Sequence, residues 1–113
     1  MLCEKLSKFS IPAVRIAVSR SLYSNYGMSQ NSIAARLGVA QPAIYKYLNN
    51  RYSSHVLAIT NYLASKGLHQ RIVAAVISGK DRKEINGMIE RLASCRQVSR
   101  YCNYIIKSKN SKP

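Results

Sequence analysis

The chain has 113 residues, and its 18 Lys and Arg residues against 4 Asp and Glu residues give a net charge of +14. A chain of this length supports one hydrophobic core. A hydrophobic content of 47% excludes the disordered basic tails that carry similar charge. So large an excess of positive charge repels itself, which predicts nucleic acid or an anionic membrane surface as the partner, ahead of an acidic substrate.

The sequence contains no apolar run of about 18 residues, the length that a membrane-spanning helix needs. Near the N-terminus, Pro12, Arg15 and Arg20 interrupt the apolar stretch that a secretory leader would require. We therefore expect a cytoplasmic protein without a membrane partner.

Pro12 and Gly27 bracket the first predicted helix, because proline suits a first helical turn and glycine suits a C-terminal end. Apolar residues recur between them at helical spacing and predict one buried stripe: Ile11, Val14, Val18 and Leu22. Three polar side chains fall largely outside this stripe: Arg15, Ser19 and Arg20.

Two short helices follow. Ser29 is a suitable N-cap for a helix over residues 30–37, which Gly38 ends, and a third helix is predicted over residues 41–49. Ala40 stands at the N-cap of this third helix, where alanine in place of Ser or Thr costs about 1 kcal/mol. Gln41 or Pro42 can reset the start of the helix.

The second half of the chain also predicts helices. Residues 54–65 place four apolar or aromatic side chains on one side, namely Val56, Ile59, Tyr62 and Leu63, and residues 68–78 continue in the same style. Asp81 is a plausible N-cap for one long helix over residues 82–107, followed by a basic tail over 108–113. No sustained alternation predicts a strand, so the fold is expected to be all-α: a helix-turn-helix bundle with an additional long C-terminal helix.

Residues 30–48 read QNSIAARLGVAQPAIYKYL, a helix, a glycine-centred turn and a second helix. Ala34 is small where two helices must approach closely, and Gly38 suits the turn. Five apolar residues stand where a shared interior would require them: Ile33, Leu37, Val39, Ile44 and Leu48. This spacing predicts a helix-turn-helix, with a DNA-binding region over 1–52 and a dimerising helical region over 53–107 in one compact domain.

The second helix of such a unit enters the major groove, so its outward side chains are expected to read bases. Helical projection places Ile44, Tyr47 and Leu48 inside and predicts five base-facing residues: Gln41, Pro42, Tyr45, Lys46 and Asn49. Three further residues are predicted to face phosphates: Gln30, Arg36 and Arg51. The alternative is that these are ordinary solvated residues on a surface helix. Arg36 and Arg51 add positive charge beside the same face and argue against that alternative.

The sequence resembles the small archaeal helix-turn-helix transcriptional regulators, whose DNA-binding part is similar to the phage-repressor and Cro-like class. The resemblance rests on Cys3, Pro12 and Arg15, on YGMSQNSIAARLGVAQPAIYKYLNNR, and on Cys95-Arg96 with Cys102. It implies base-facing roles for Gln41, Pro42 and Lys46 and a phosphate-facing role for Gln30. The family's Cys-x-x-Cys-Arg pair is incomplete, because Leu92 replaces its first cysteine, and this departure argues against a metal or iron–sulfur site.

The predicted C-terminal helix carries an apolar stripe of Ile85, Met88, Leu92, Cys95, Cys102 and Ile106. Cys95 and Cys102 would lie about 10 Å apart on an intact helix, too far to bridge each other. They are either small buried hydrophobic residues or part of a homodimer interface, with a disulfide from Cys3 to one of them as a further alternative. His55 and His69 lack metal-ligand spacing and are expected to be surface or hydrogen-bonded histidines, so we expect no metal and no cofactor.

Function is predicted to be sequence-specific binding of double-stranded DNA by a homodimeric transcriptional regulator. An enzyme is not expected, because the few acids form no acid–base pair and no phosphate loop or nucleophile motif is present. The alternative is a non-specific architectural DNA-binding or RNA-binding protein, since charge and tyrosines alone bind nucleic acid. The sequence does not identify a small-molecule effector.

Overall fold

The computed structural model describes residues 6–110, with side chains for residues 8–107. A π-helical turn, Leu6–Ser10, leads into seven α-helices within this range. They are α1 (Ile11–Tyr26), α2 (Gln30–Leu37), α3 (Gln41–Leu48), α4 (Ser54–Lys66), α5 (Gln70–Ile77), α6 (Arg82–Ser94) and α7 (Arg96–Asn110). The all-α prediction is confirmed. Cys3 lies outside the described residues.

Helix α1 is the central element of the fold and contacts the N-terminal turn and every helix from α2 to α6. It begins with Pro12 in its first turn and ends at Gly27, whose φ of 67° is left-handed. Because neighbours surround it, the predicted single stripe was too narrow. Ser19, which was expected outside the stripe, is fully buried, and its hydroxyl has no hydrogen-bond partner among the described residues.

Side-chain capping marks the start of three of the other helices, α2, α4 and α6. The Ser29 hydroxyl accepts a hydrogen bond from the Ser32 N–H at 3.1 Å, and Asp81 Oδ1 accepts one from the Glu84 N–H at 2.8 Å, as the sequence predicted. Ser53 caps α4 in the same way, through the Val56 N–H at 3.2 Å. Ala40 occupies the N-cap position of α3 and makes no side-chain hydrogen bond there, as expected.

The single long helix predicted over 82–107 is wrong. The chain breaks at Cys95, whose φ of −67° and ψ of 158° are extended, and α7 starts afresh at the next residue. The predicted stripe is right in part: Ile85 and Cys102 are buried, and Met88, Leu92, Cys95 and Ile106 are half-buried against the core. Each helix also turns residues outside that stripe into the core, namely Ile89 and Ala93 from α6, and Val98 and Ile105 from α7. The predicted tail is also too long, since α7 continues to Asn110, and residues 111–113 lie outside the described range.

Buried side chains from all seven helices form one hydrophobic cluster. The cluster joins residues of the predicted DNA-binding region, such as Leu37 and Ile44, to residues of the predicted C-terminal region, such as Ile89 and Val98. The α2–α3 pair therefore rests on a continuous core that α1 connects to the rest of the molecule.

Candidate nucleic-acid interface

Helices α2 and α3 are joined by a short turn over residues 38–40. Gly38 begins the turn with a φ of 72°, and its N–H donates to the Ala34 carbonyl at 2.9 Å. Ile33, Leu37 and Ile44 are fully buried, so the two helices share one interior. A Cβ on Gly38 would lie 2.6 Å from Arg82 Cδ, which shows how closely the start of α6 approaches this turn.

The outward face of α3 is accessible to a ligand. Ile44 is fully buried, Tyr47 and Leu48 are half-buried, and the opposite side of the helix is exposed. The exposed side chains are Pro42, Tyr45, Lys46 and Asn49, with Gln41 half-buried at the edge. This division agrees with the helical projection, and base contact by these residues stays a prediction.

Gln30 and Gln41, which start the two helices, are hydrogen-bonded to each other. Gln41 Nε2 donates to Gln30 Oε1 at 2.6 Å. The bond leaves the Gln30 amide nitrogen free to donate, and it leaves Gln41 with one N–H and its carbonyl oxygen. The pair thus presents amide donors and an acceptor together at the start of the two helices.

The segment after α3 is held by Arg20 from the central helix. The Arg20 guanidinium donates to Asn50 Oδ1 and to the Tyr52 hydroxyl, and its Cζ lies 5.8 Å from the centroid of the Tyr52 ring. Asn50 adopts a left-handed φ of 58°. Sequence reasoning placed Arg20 outside the buried stripe of the first helix and missed this role, because no local pattern links residues 30 positions apart.

Two of the predicted contact residues also have structural partners. Asn49 Nδ2 donates to the Tyr45 carbonyl at 2.8 Å and thereby helps to end α3. Arg36 Nη2 donates to the Lys80 carbonyl at 2.6 Å and ties α2 to the loop before α6. A guanidinium carries five N–H donors, so Arg36 keeps donors for another acceptor. Arg51 is exposed.

Positive charge around α2 and α3 is not balanced by carboxylates. Residues 5–80 contain no Asp or Glu. Within the described part of the chain, one ion pair is formed, between Lys80 Nζ and Glu84 Oε2 at 3.8 Å, and both side chains are 51% exposed. The surface therefore carries a strong positive potential, which attracts polyanions.

The cysteines and histidines do not form a metal-type cluster in the described residues. Cys102 is 2% exposed within this chain's own core and Cys95 is half-buried, and both are free thiols. His55 differs from expectation, because its Nε2 is buried without a hydrogen-bond partner among the described residues. His69 Nδ1 also lacks such a partner there, although the side chain hydrogen-bonds to the Leu63 backbone. Burial lowers the pKa of His69 from its usual 6.5, against the smaller raising effect of a hydrogen bond to the Leu63 backbone.

Comparison with known protein families, characterised proteins and solved structures finds no match to this chain. Across the described residues, no helix combines the length and the apolar character that crossing a membrane requires.

Proposed function

We propose that this protein binds double-stranded DNA sequence-specifically through a helix-turn-helix formed by α2 and α3, and that it acts as a transcriptional regulator. The observation that carries the proposal is the Gln30–Gln41 hydrogen bond at the start of the exposed α3 face. In this arrangement α3 lies in the major groove, where Gln41 pairs with adenine and Lys46 donates to guanine or to phosphate. Arg51 then contacts the backbone beyond the end of α3.

A homodimer on an approximate palindrome is part of the proposal, because paired half-sites one helical turn apart match a twofold axis. Three half-buried apolar side chains support it: Met88 and Leu92 on α6, and Cys95 directly after the end of that helix. Sedimentation velocity with and without duplex measures the subunit number. If the protein is strictly monomeric on DNA, the homodimer is contradicted, and the proposal reduces to binding of a single half-site.

The decisive experiment is selection of duplexes from randomised DNA by the purified protein at about 150 mM salt, which suppresses non-specific binding. Enrichment of one sequence, palindromic for a dimer, is the expected result. Binding without enrichment would contradict sequence-specific regulation and favour an architectural or RNA-binding protein, for which the unbalanced charge is sufficient.

Substitutions then connect the selected sequence to α3. Lys46→Ala and Gln41→Ala are expected to relax the preference at individual base pairs, at about 1–3 kcal/mol per lost base contact. Arg71→Ala is the matched control, because Arg71 is an exposed cation on α5, which packs against α1 and α6. Arg51→Ala is expected to weaken binding to all duplexes and to reduce the salt slope by about 1.

A further inference from the structure

Helix α7 presents a basic and aromatic face that the proposed DNA-binding pair does not use. Its inner side carries Val98, Cys102 and Ile105. Its outer side carries four exposed side chains at helical spacing: Arg96, Arg100, Tyr104 and Lys107. The helix packs mainly against α4, α6 and the N-terminal turn, whereas α3 packs against α1 and α2, and α2 packs against α1, α3 and α6. The α7 face is therefore a separate surface.

An open groove lies between α4 and α7. It has a volume of about 510 Å³ and is lined by Tyr62, Arg96, Gln97, Arg100 and Tyr101. The Tyr62 and Tyr101 rings stack with centroids 4.1 Å apart and planes 10° apart, and Gln97 Nε2 donates to the Tyr62 hydroxyl at 3.0 Å. The groove is thus a preformed aromatic surface with two arginines in its lining.

Tyr104 extends this aromatic surface into solvent. Its ring centroid lies 6.1 Å from that of Tyr101, with a 40° tilt between the planes, and the side chain is 63% exposed. A ring so exposed leaves a face open to a planar partner. Stacking on such a face is how proteins hold unpaired bases.

The charge of this region fits a polyanion. Neither α4 nor α7 contains an Asp or Glu residue. Arg96 and Arg100 are one helical turn apart on the same edge, and Lys66 Nζ lies 5.9 Å from the centroid of the Tyr62 ring. Phosphate groups spaced along a strand are the natural partners of such cations.

We propose that the α4–α7 groove binds an unpaired segment of nucleic acid, with a base stacked on Tyr104 and phosphates held by Arg96 and Arg100. An unpaired strand fits better than a duplex, because the bases of a duplex already stack on one another and offer no free face to the tyrosine. This second site does not depend on the role proposed for α3.

A single-tryptophan variant tests the stacking directly, since the chain contains no Trp. Tyr104→Trp is titrated with thymidine and uridine oligonucleotides of about 12 nucleotides and with a duplex of equal length. We expect saturable quenching of Trp fluorescence by the single strands and little by the duplex. The oligonucleotide with the higher affinity, thymidine or uridine, shows whether single-stranded DNA or RNA is the preferred ligand.

Tyr26→Trp is the matched control, because Tyr26 is 53% exposed at the end of α1 and lies outside the groove. Its fluorescence should stay unchanged on addition of single strands. Quenching of Tyr26→Trp in place of Tyr104→Trp, or equal quenching of Tyr104→Trp by the duplex, would overturn the proposal.

The arginines are tested in the otherwise natural chain. Arg96→Ala with Arg100→Ala is expected to weaken single-strand binding about tenfold or more. Arg71→Ala with Arg91→Ala removes the same charge from exposed positions on α5 and α6, and it should have a much smaller effect. Equal losses of single-strand affinity in both double variants would mean that only the total charge of the protein matters, which would refute the site.

Lys46→Ala separates this proposal from the role of α3. It is expected to leave single-strand binding unchanged. Suppose that the protein shows no sequence preference for duplexes while single strands alone quench the Tyr104→Trp variant. That result would support single-strand binding in the groove and contradict the role as a sequence-specific regulator. Sequence preference for duplexes without quenching by single strands would support the regulator and contradict single-strand binding in the groove.

Discussion

Replacement of Gly38 by alanine tests how the turn between α2 and α3 is built. Gly38 has a φ of 72°, and a left-handed conformation costs an L-residue about 1–2 kcal/mol. Alanine also restricts the unfolded chain relative to glycine, an entropic gain of about 0.4–1 kcal/mol that offsets only part of this cost. The backbone effect alone is therefore a loss of about 1 kcal/mol in the free energy of unfolding.

Contact with Arg82 adds to this loss. The new Cβ would lie 2.6 Å from Arg82 Cδ, so that side chain must move. Gly27→Ala is the matched control, because Gly27 has a φ of 67° with nothing within 4 Å of its Cβ position. We expect Gly38→Ala to destabilise the protein more than Gly27→Ala, and we expect the two losses to become equal when Arg82→Ala is also present.

Urea denaturation followed by circular dichroism at the helical band measures these losses as shifts of the midpoint at constant slope. The reasoning is refuted if neither Gly27→Ala nor Gly38→Ala changes the free energy of unfolding, because the left-handed φ would then cost alanine nothing. It is also refuted if the excess loss at Gly38 persists without the Arg82 side chain. In either case the close approach of α6 would not constrain the turn.

The other predictions concern the site and the core. A double-mutant cycle of Gln30→Ala and Gln41→Ala, measured by duplex affinity, is expected to show a coupling of about 0.5–1.5 kcal/mol, and additive losses would mean that the hydrogen bond does not act in binding. His69 is kept neutral by burial, so its contribution to stability is complete above pH 6.5 and falls as the pH drops through its lowered pKa. Denaturation between pH 7.5 and about pH 5 should show this loss, and an unchanged profile in His69→Gln would assign it to another group. Cys102→Ser should cost about 1–3 kcal/mol because it buries a hydroxyl, whereas Cys95→Ser at a half-buried position should cost much less, and equal costs would contradict the burial difference.

Local sequence signals were sufficient for most helix boundaries. Ser29, Gly38 and Asp81 act within one helical turn of their own positions, through a side-chain acceptor or a left-handed φ. The exposed face of α3 was also predictable, because helical spacing places Ile44 opposite Lys46 on any regular helix. These features need no knowledge of distant residues.

Contacts between distant residues were beyond the reach of such signals. The Gln30–Gln41 hydrogen bond, the Arg20 contacts with Asn50 and Tyr52, and the contact of Arg36 with the Lys80 carbonyl join residues on different elements. Each depends on how the helices pack, so sequence reasoning assigned free surface roles to side chains that in part hold the fold together.

The break at Cys95 shows the same division most clearly. Residues 82–107 contain no proline, and their helical spacing predicted one continuous helix. The folded chain ends α6 at Ser94 and turns so that α7 packs along α4, where Val98 and Cys102 enter the core and Tyr101 stacks on Tyr62. Helix starts, turns and faces follow from the local sequence because their energies are local. The break follows from burial of apolar surface against a distant helix, an energy that exists only once the tertiary structure has formed.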